Sequence, residues 1–115
     1  MSHRAWVMGL AEVLRDRASL LVVSAASAWE LYAKYRIGRL PGAGPWLEAL
    51  EGHVRRLGAE LLPIEWSHAR LSGRLEWSYR DPFDRMLAAQ AISESLVLVT
   101  RDPAFEELPS VKILW

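Results

Sequence analysis

Cysteine is absent from the 115-residue sequence, which excludes disulfides and thiolate metal sites and suits a reducing cytoplasm. Long apolar runs are absent as well. No stretch approaches the roughly 20 residues that span a bilayer, and residues 1–19 lack the unbroken apolar core of a secretory signal, so no membrane partner is expected. Net charge is missing too: 14 Lys and Arg balance 14 Asp and Glu. Long-range capture of nucleic acid by the whole molecule is therefore not expected, and any such contact should be local. The three histidines, His3, His53 and His68, have no close metal-ligand spacing. There is no internal repeat, low-complexity tract or linker. What the chain does have is apolar bulk, 51% of its residues, enough for the core of a single domain over residues 1–115.

Periodicity divides that bulk into alternating elements. Trp6, Val7, Leu10, Val13 and Leu14 recur at helical spacing, which predicts an amphipathic helix over residues 3–18. Residues 20–23, four large apolar side chains without alternation, read as a strand covered on both faces, as in a parallel sheet. A helix is expected from about residues 24–27 to Ile37, closed by Gly38. After a Pro/Gly connector at 40–44, Pro45 opens a third helix whose apolar stripe ends at Gly58. Residues 60–64 suit an edge strand because Pro63 cannot donate to a central ladder. A short helix from Trp66 and an aromatic, charged loop over 75–80 lead to a strongly apolar helix opened by Asp81-Pro82. Residues 96–100 form a second buried strand, Asp102-Pro103 a helical turn, and residues 111–114 a last strand. The expected class is α/β, with a parallel sheet flanked by helices.

Three carboxylates fall where ligands gather in such sheets, beyond the carboxyl ends of the strands. Glu30 lies early in the helix after the first strand, Asp102 just past strand 96–100, and Asp84 at a helix start. Carboxylates brought together raise each other's pKa unless a cation neutralises them. Mg²⁺ or Mn²⁺, hard cations that take oxygen ligands, fit that requirement. Each acid also has a structural role open to it: Ser27 to Glu30 fits a capping box, and Asp81-Pro82 and Asp102-Pro103 fit N-caps followed by Pro. Asp81 is assigned to capping and Asp84 is not, because Asp81 already stands at the natural cap.

Five segments in order, VVSAASAWE (22–30), KYRIGRL (34–40), RDPFDRMLAAQA (80–91), LVTRDPAF (98–105) and VKILW (111–115), resemble the PIN-domain family, and within it the VapC-type toxins of bacterial toxin–antitoxin pairs. The resemblance implies a Mg²⁺- or Mn²⁺-dependent endoribonuclease with Glu30, Asp84 and Asp102 as its second, third and fourth acids. It also implies Thr100 as the polar residue beside them, a small VapB-like antitoxin as partner, and a homodimer. Lys34, Arg36, Arg80, Arg85 and Arg101 flank the acids and are candidate contacts for RNA phosphates.

The family's opening strand, an apolar run ending in Asp, has no match ahead of Leu20. In this fold that strand belongs between strands 20–23 and 96–99. The chain is therefore expected to be an N-terminally truncated PIN domain, by a misassigned start or a shortened gene, and to cleave RNA little in this form. A remnant that cleaves nothing and serves only as a protein-binding module is the alternative. Trp29 is expected to pack beneath the site, Trp77 and Tyr79 chiefly in the core, and His68 on the surface.

Overall fold

Ser24 ends a strand and starts a helix with no loop between them. In the computed structural model, which describes residues 21–100 and 102–114, its backbone is extended (φ −80°, ψ 144°) and its hydroxyl accepts the Ala26 amide at 2.9 Å. This satisfies one of the orphan donors of the first helical turn. The expected helix over residues 3–18 and Arg101 lie outside the described residues.

Residues 20–63 form one compact unit. Strand β1 (Val22–Ser24) passes into α1 (Ala25–Arg36), followed by α2 (Gly44–Glu48), α3 (Leu50–Arg56) and strand β2 (Glu60–Leu62). β2 pairs parallel with β1, Val22 opposite Glu60 and Ser24 opposite Leu62. Leu47, Leu50 and Val54 are buried against Val23, Ala28, Leu31 and Leu61, so the helical stripe read from the sequence is the core of this unit. Gly38 closes α1 as expected. With φ +82° it sends its amide to Tyr35 O and lets the Arg39 amide reach Lys34 O, the paired bonds of a left-handed helix stop. Gly58, at φ +76°, repeats the device after α3, with the Gly58 amide on Arg55 O and the Ala59 amide on Val54 O. The single helix expected after Pro45 is broken at Ala49, whose amide turns back to Trp46 O in a tighter i to i−3 bond.

The second unit is described from Ile64 onward. It runs α4 (Trp66–Arg74), α5 (Pro82–Ser93), strand β3 (Leu98–Val99), a 3₁₀ turn (Pro103–Glu107) and strand β4 (Ile113–Leu114). α4 packs on α5, and β4 pairs parallel with β3, Leu98 opposite Ile113. Leu87, Ala88, Ala89 and Ala91 of α5 are buried, as are Leu98, Phe105, Leu108 and Val111. The small residues of α5 let neighbouring elements approach closely, and this explains a helix apolar on most of its surface.

The α/β class with parallel strands and flanking helices is as expected. The strands are shorter than their apolar runs, two or three residues each, and among the described residues each is paired on one side. Among the described residues the two pairs, β1 with β2 and β3 with β4, are not joined by a further strand. No described helix is long and apolar enough to cross a membrane.

Candidate carboxylate site

Glu30 sits on the buried face of α1 with Ala26 and Ser27, four and three residues before it. It is 3% exposed, although it carries a carboxylate. Lys34, one turn on, reaches Oε2 at 3.1 Å, the favourable Glu-before-Lys order. Oε1 is buried and has no hydrogen-bond partner among the described residues. An orphaned buried acceptor costs about 1–3 kcal/mol, and such atoms call for a functional explanation. The capping-box explanation does not supply one: the N-cap of α1 is Ser24, not Ser27, which leaves Glu30 beyond the first turn. Trp29 beside it is 50% exposed, so it does not pack beneath the site as expected. The buried face of α1 is made of small residues and a carboxylate, and its aromatic rings Trp29, Tyr32 and Tyr35 lie outside.

The second unit holds the other two acids. Asp81 is the N-cap of α5, its Oδ1 accepting from the amides of Phe83 at 2.9 Å and Asp84 at 3.1 Å. Asp84, three residues further, is 6% exposed and stands in the first turn, where the helix dipole favours a negative charge. Asp102 caps the 3₁₀ turn through Oδ1 to the Ala104 amide at 2.9 Å, and its own amide is held by the buried Thr100 hydroxyl at 3.1 Å. Its Oδ2 faces the Tyr79 hydroxyl at 3.4 Å. Tyr79 draws these acids together: desolvation first, then the charges of Asp102, Asp84 and Asp81, push its hydroxyl up to about 12. A phenolate facing three carboxylates is unfavourable, so Tyr79 holds its proton and donates to Asp102.

Arg85 was expected to contact RNA, and its geometry gives it different work. Its five N–H donors reach carbonyls of the 72–79 segment: Nε and Nη2 to Ser72 at 3.2 and 3.0 Å, Nη2 to Leu75 at 2.9 Å, and Nη1 to Trp77 at 2.7 Å and Tyr79 at 2.9 Å. The fork is filled, which corrects the expectation of a phosphate contact. Arg36 and Arg80 are exposed, while Lys34 is engaged with Glu30. Trp77 packs in the core as expected, its ring 5.2 Å from those of Tyr79 and Phe105 and its indole N–H on Ala104 O.

His68 is fully buried rather than on the surface. Its Nδ1 accepts the Glu65 amide at 2.9 Å, and its Nε2 meets Glu94 Oε2 at 2.8 Å. With Nδ1 occupied as an acceptor, the ring proton belongs on Nε2, donated to Glu94. The Glu65 side chain in turn accepts the His68 amide, so the pair forms a capping box with histidine in the usual Glu position. The spacing of Glu65 and His68, three residues apart, fits such a box, but the burial of the ring depends on Glu94 at the end of α5 and is not visible in the local sequence. Within either unit, no three His, Asp or Glu among the described residues stand together as a metal-ligand cluster.

The PIN domain family model matches residues 4–111. The chain belongs to the PIN-domain family. Ribonuclease VapC16 of Mycobacterium tuberculosis (strain ATCC 25618 / H37Rv) is 34% identical over 71 residues, a match that covers 59% of this chain and 50% of that protein. The chain thus spans about half the length of that relative. A chain in the crystal structure of VapBC2 from Rickettsia felis bound to a DNA fragment from their promoter superposes with a TM-score of 0.69 at 17% identity. That match covers 96% of this chain and 84% of the other, and it shows the shared PIN fold. The VapC-type resemblance carried by the sequence motifs is met in the first of these, Ribonuclease VapC16.

Proposed function

We propose that this PIN domain is a Mg²⁺- or Mn²⁺-dependent endoribonuclease toxin of the VapC type, with Glu30, Asp84 and Asp102 as the carboxylates that hold the cation. The observation that carries this reading is the Glu30 side chain, buried with Oε1 unpartnered among the described residues. A cation is the ligand class that satisfies such an oxygen, since hard divalent ions take carboxylate oxygens. Asp84 and Asp102 supply the same donor chemistry and act together on the Tyr79 hydroxyl. A divalent cation there supplies charge neutralisation for the scissile phosphate and activation of the attacking water.

The chain's own residues do the placing. Thr100 fixes the Asp102 backbone, and the cap to Ala104 holds Oδ1, so that Oδ2 is the oxygen turned toward Tyr79. Lys34 pairs with Glu30 Oε2 at 3.1 Å and holds that carboxylate in place on a buried helix face. Arg36 and Arg80, both exposed, are the proposed contacts for RNA phosphates.

A VapB-like antitoxin and a second copy of the chain are the proposed protein partners, and the reading places the toxin in the cytoplasm with its RNA. Support for a protein partner comes from the exposed Trp29, Tyr32 and Tyr35 of α1, since large exposed apolar groups mark interaction surfaces. The test is cleavage of single-stranded RNA by the purified protein in Mg²⁺, Mn²⁺ or chelator. Metal-dependent cleavage that falls at least tenfold in Asp84→Asn and in Asp102→Asn is expected. Cleavage indifferent to chelator and to both variants would overturn the proposal, and no cleavage together with tight antitoxin binding would favour the pure binding module.

A further inference from the structure

We infer that Arg85 and Tyr79 form a positioning device for Asp102, in which the guanidinium fixes the 72–79 segment so that the Tyr79 hydroxyl meets Asp102 Oδ2. The inference rests on the proposed role of Asp102 as a cation ligand. It assigns work to two residues whose chemistry that role leaves unused.

Arg85 sits one residue past Asp84 on α5, and its backbone amide is held by Asp81 O at 3.0 Å. It therefore starts from the rigid first turn that also carries Asp84. From there its planar fork collects four carbonyls, that of Ser72 near the end of α4 and those of Leu75, Trp77 and Tyr79 in the stretch after it, which has no helix or strand of its own. An irregular segment has no ladder to satisfy its carbonyls, and a guanidinium with five fixed donors is the one side chain that can tie several at once. The last carbonyl tied belongs to Tyr79 itself, at 2.9 Å from Nη1. The ring is braced by Trp77, 5.2 Å away, whose indole N–H is bonded to Ala104 O in the turn that Asp102 caps. One Arg thus connects the turn bearing Asp84 to the turn bearing Asp102.

The consequence concerns which oxygen of Asp102 turns where. Oδ1 is committed to the Ala104 amide, and the hydroxyl on Oδ2 sets the rotation of the carboxylate about its last torsion. Groups that hydrogen-bond a ligating carboxylate commonly change metal affinity by about 10–100-fold when removed. The Tyr79 to Asp102 distance of 3.4 Å is long for an O–H···O bond, so the low end, about tenfold, is expected.

The test measures Mn²⁺ affinity by titration calorimetry on the whole protein, with circular dichroism to verify folding. Tyr79→Phe, which removes only the hydroxyl, is expected to keep the fold and bind Mn²⁺ about tenfold more weakly. Arg85→Lys is expected to weaken binding to a similar degree, and the double variant to be no weaker than Arg85→Lys alone, because the Arg acts through the Tyr. Affinity within twofold of the parent in folded Tyr79→Phe, alongside a large loss in Asp102→Asn, would overturn the device and leave the metal site standing. Losses that multiply in the double variant would also overturn it, since the two residues would then act independently. Unchanged affinity in Asp102→Asn would remove the metal role of Asp102 and the device with it.

Discussion

Glu30 and Asp102 show how differently two carboxylates can be used. Asp102 has a structural duty, the cap on Ala104, and a second oxygen that accepts from Tyr79; Glu30 has an ion pair to Lys34 and an Oε1 orphaned among the described residues. Removing its charge breaks the ion pair to Lys34 and leaves an amide with buried polar atoms of its own to satisfy. Glu30→Gln is expected to lower thermal stability modestly in the absence of metal and to lower Mn²⁺ affinity, and a melting scan with and without Mn²⁺ separates the two effects. Tyr79 gives a pH prediction. Its pKa in the folded protein, about 12, lies above the ordinary tyrosine value of 10.0. The unfolded chain releases this proton first as pH rises, so Tyr79 adds no pH dependence below 10 and weakens the metal-free fold progressively through the window up to 12. An ultraviolet titration of phenolate should show a transition near pH 12 that Tyr79→Phe lacks. A transition that persists in the variant would assign it to another tyrosine.

Elements begin and end here through identifiable caps, and these were largely legible in the sequence. Gly38 and Gly58 stop α1 and α3 in left-handed conformations, and Asp81-Pro82 and Asp102-Pro103 open the helix and turn expected of them. An added Cβ at Gly58 would meet nothing within 4 Å, so its cost is conformational alone. Gly58→Ala should lower stability by about 1 kcal/mol, read from denaturant midpoints. Ser24→Ala removes the α1 cap and should cost a similar amount, about 1 kcal/mol. What the sequence did not reveal arises from contacts between distant residues. Nothing local marks Arg85 as the binder of four carbonyls, because the shape of the 72–79 segment exists only once α4 and α5 are packed. The burial of His68 likewise depends on α5, which supplies Glu94. Loss of the Arg85 fork should open that segment: Arg85→Ala is expected to be cut by protease within residues 72–80 far faster than the parent, and equal cutting rates would deny the fork its structural role.

At the scale of the whole molecule, the α/β class and PIN-family membership were readable because several motifs stand in order along nearly the whole chain. Strand lengths were not, since apolar runs record burial and not pairing: residues 96–100 are apolar enough for a longer strand, yet only Leu98 and Val99 pair. The acids were found by their places after strands and at helix starts, while the orphaned oxygen of Glu30 emerged only from packing. The proposed function makes Glu30, Asp84 and Asp102 cation ligands, and Mn²⁺ affinity in Glu30→Gln, Asp84→Asn and Asp102→Asn, each measured by titration calorimetry on folded protein, tests that assignment. Binding by the parent that weakens at least tenfold in each variant is expected; parent-like affinity in all three would overturn the assignment and return these carboxylates to structural duties alone.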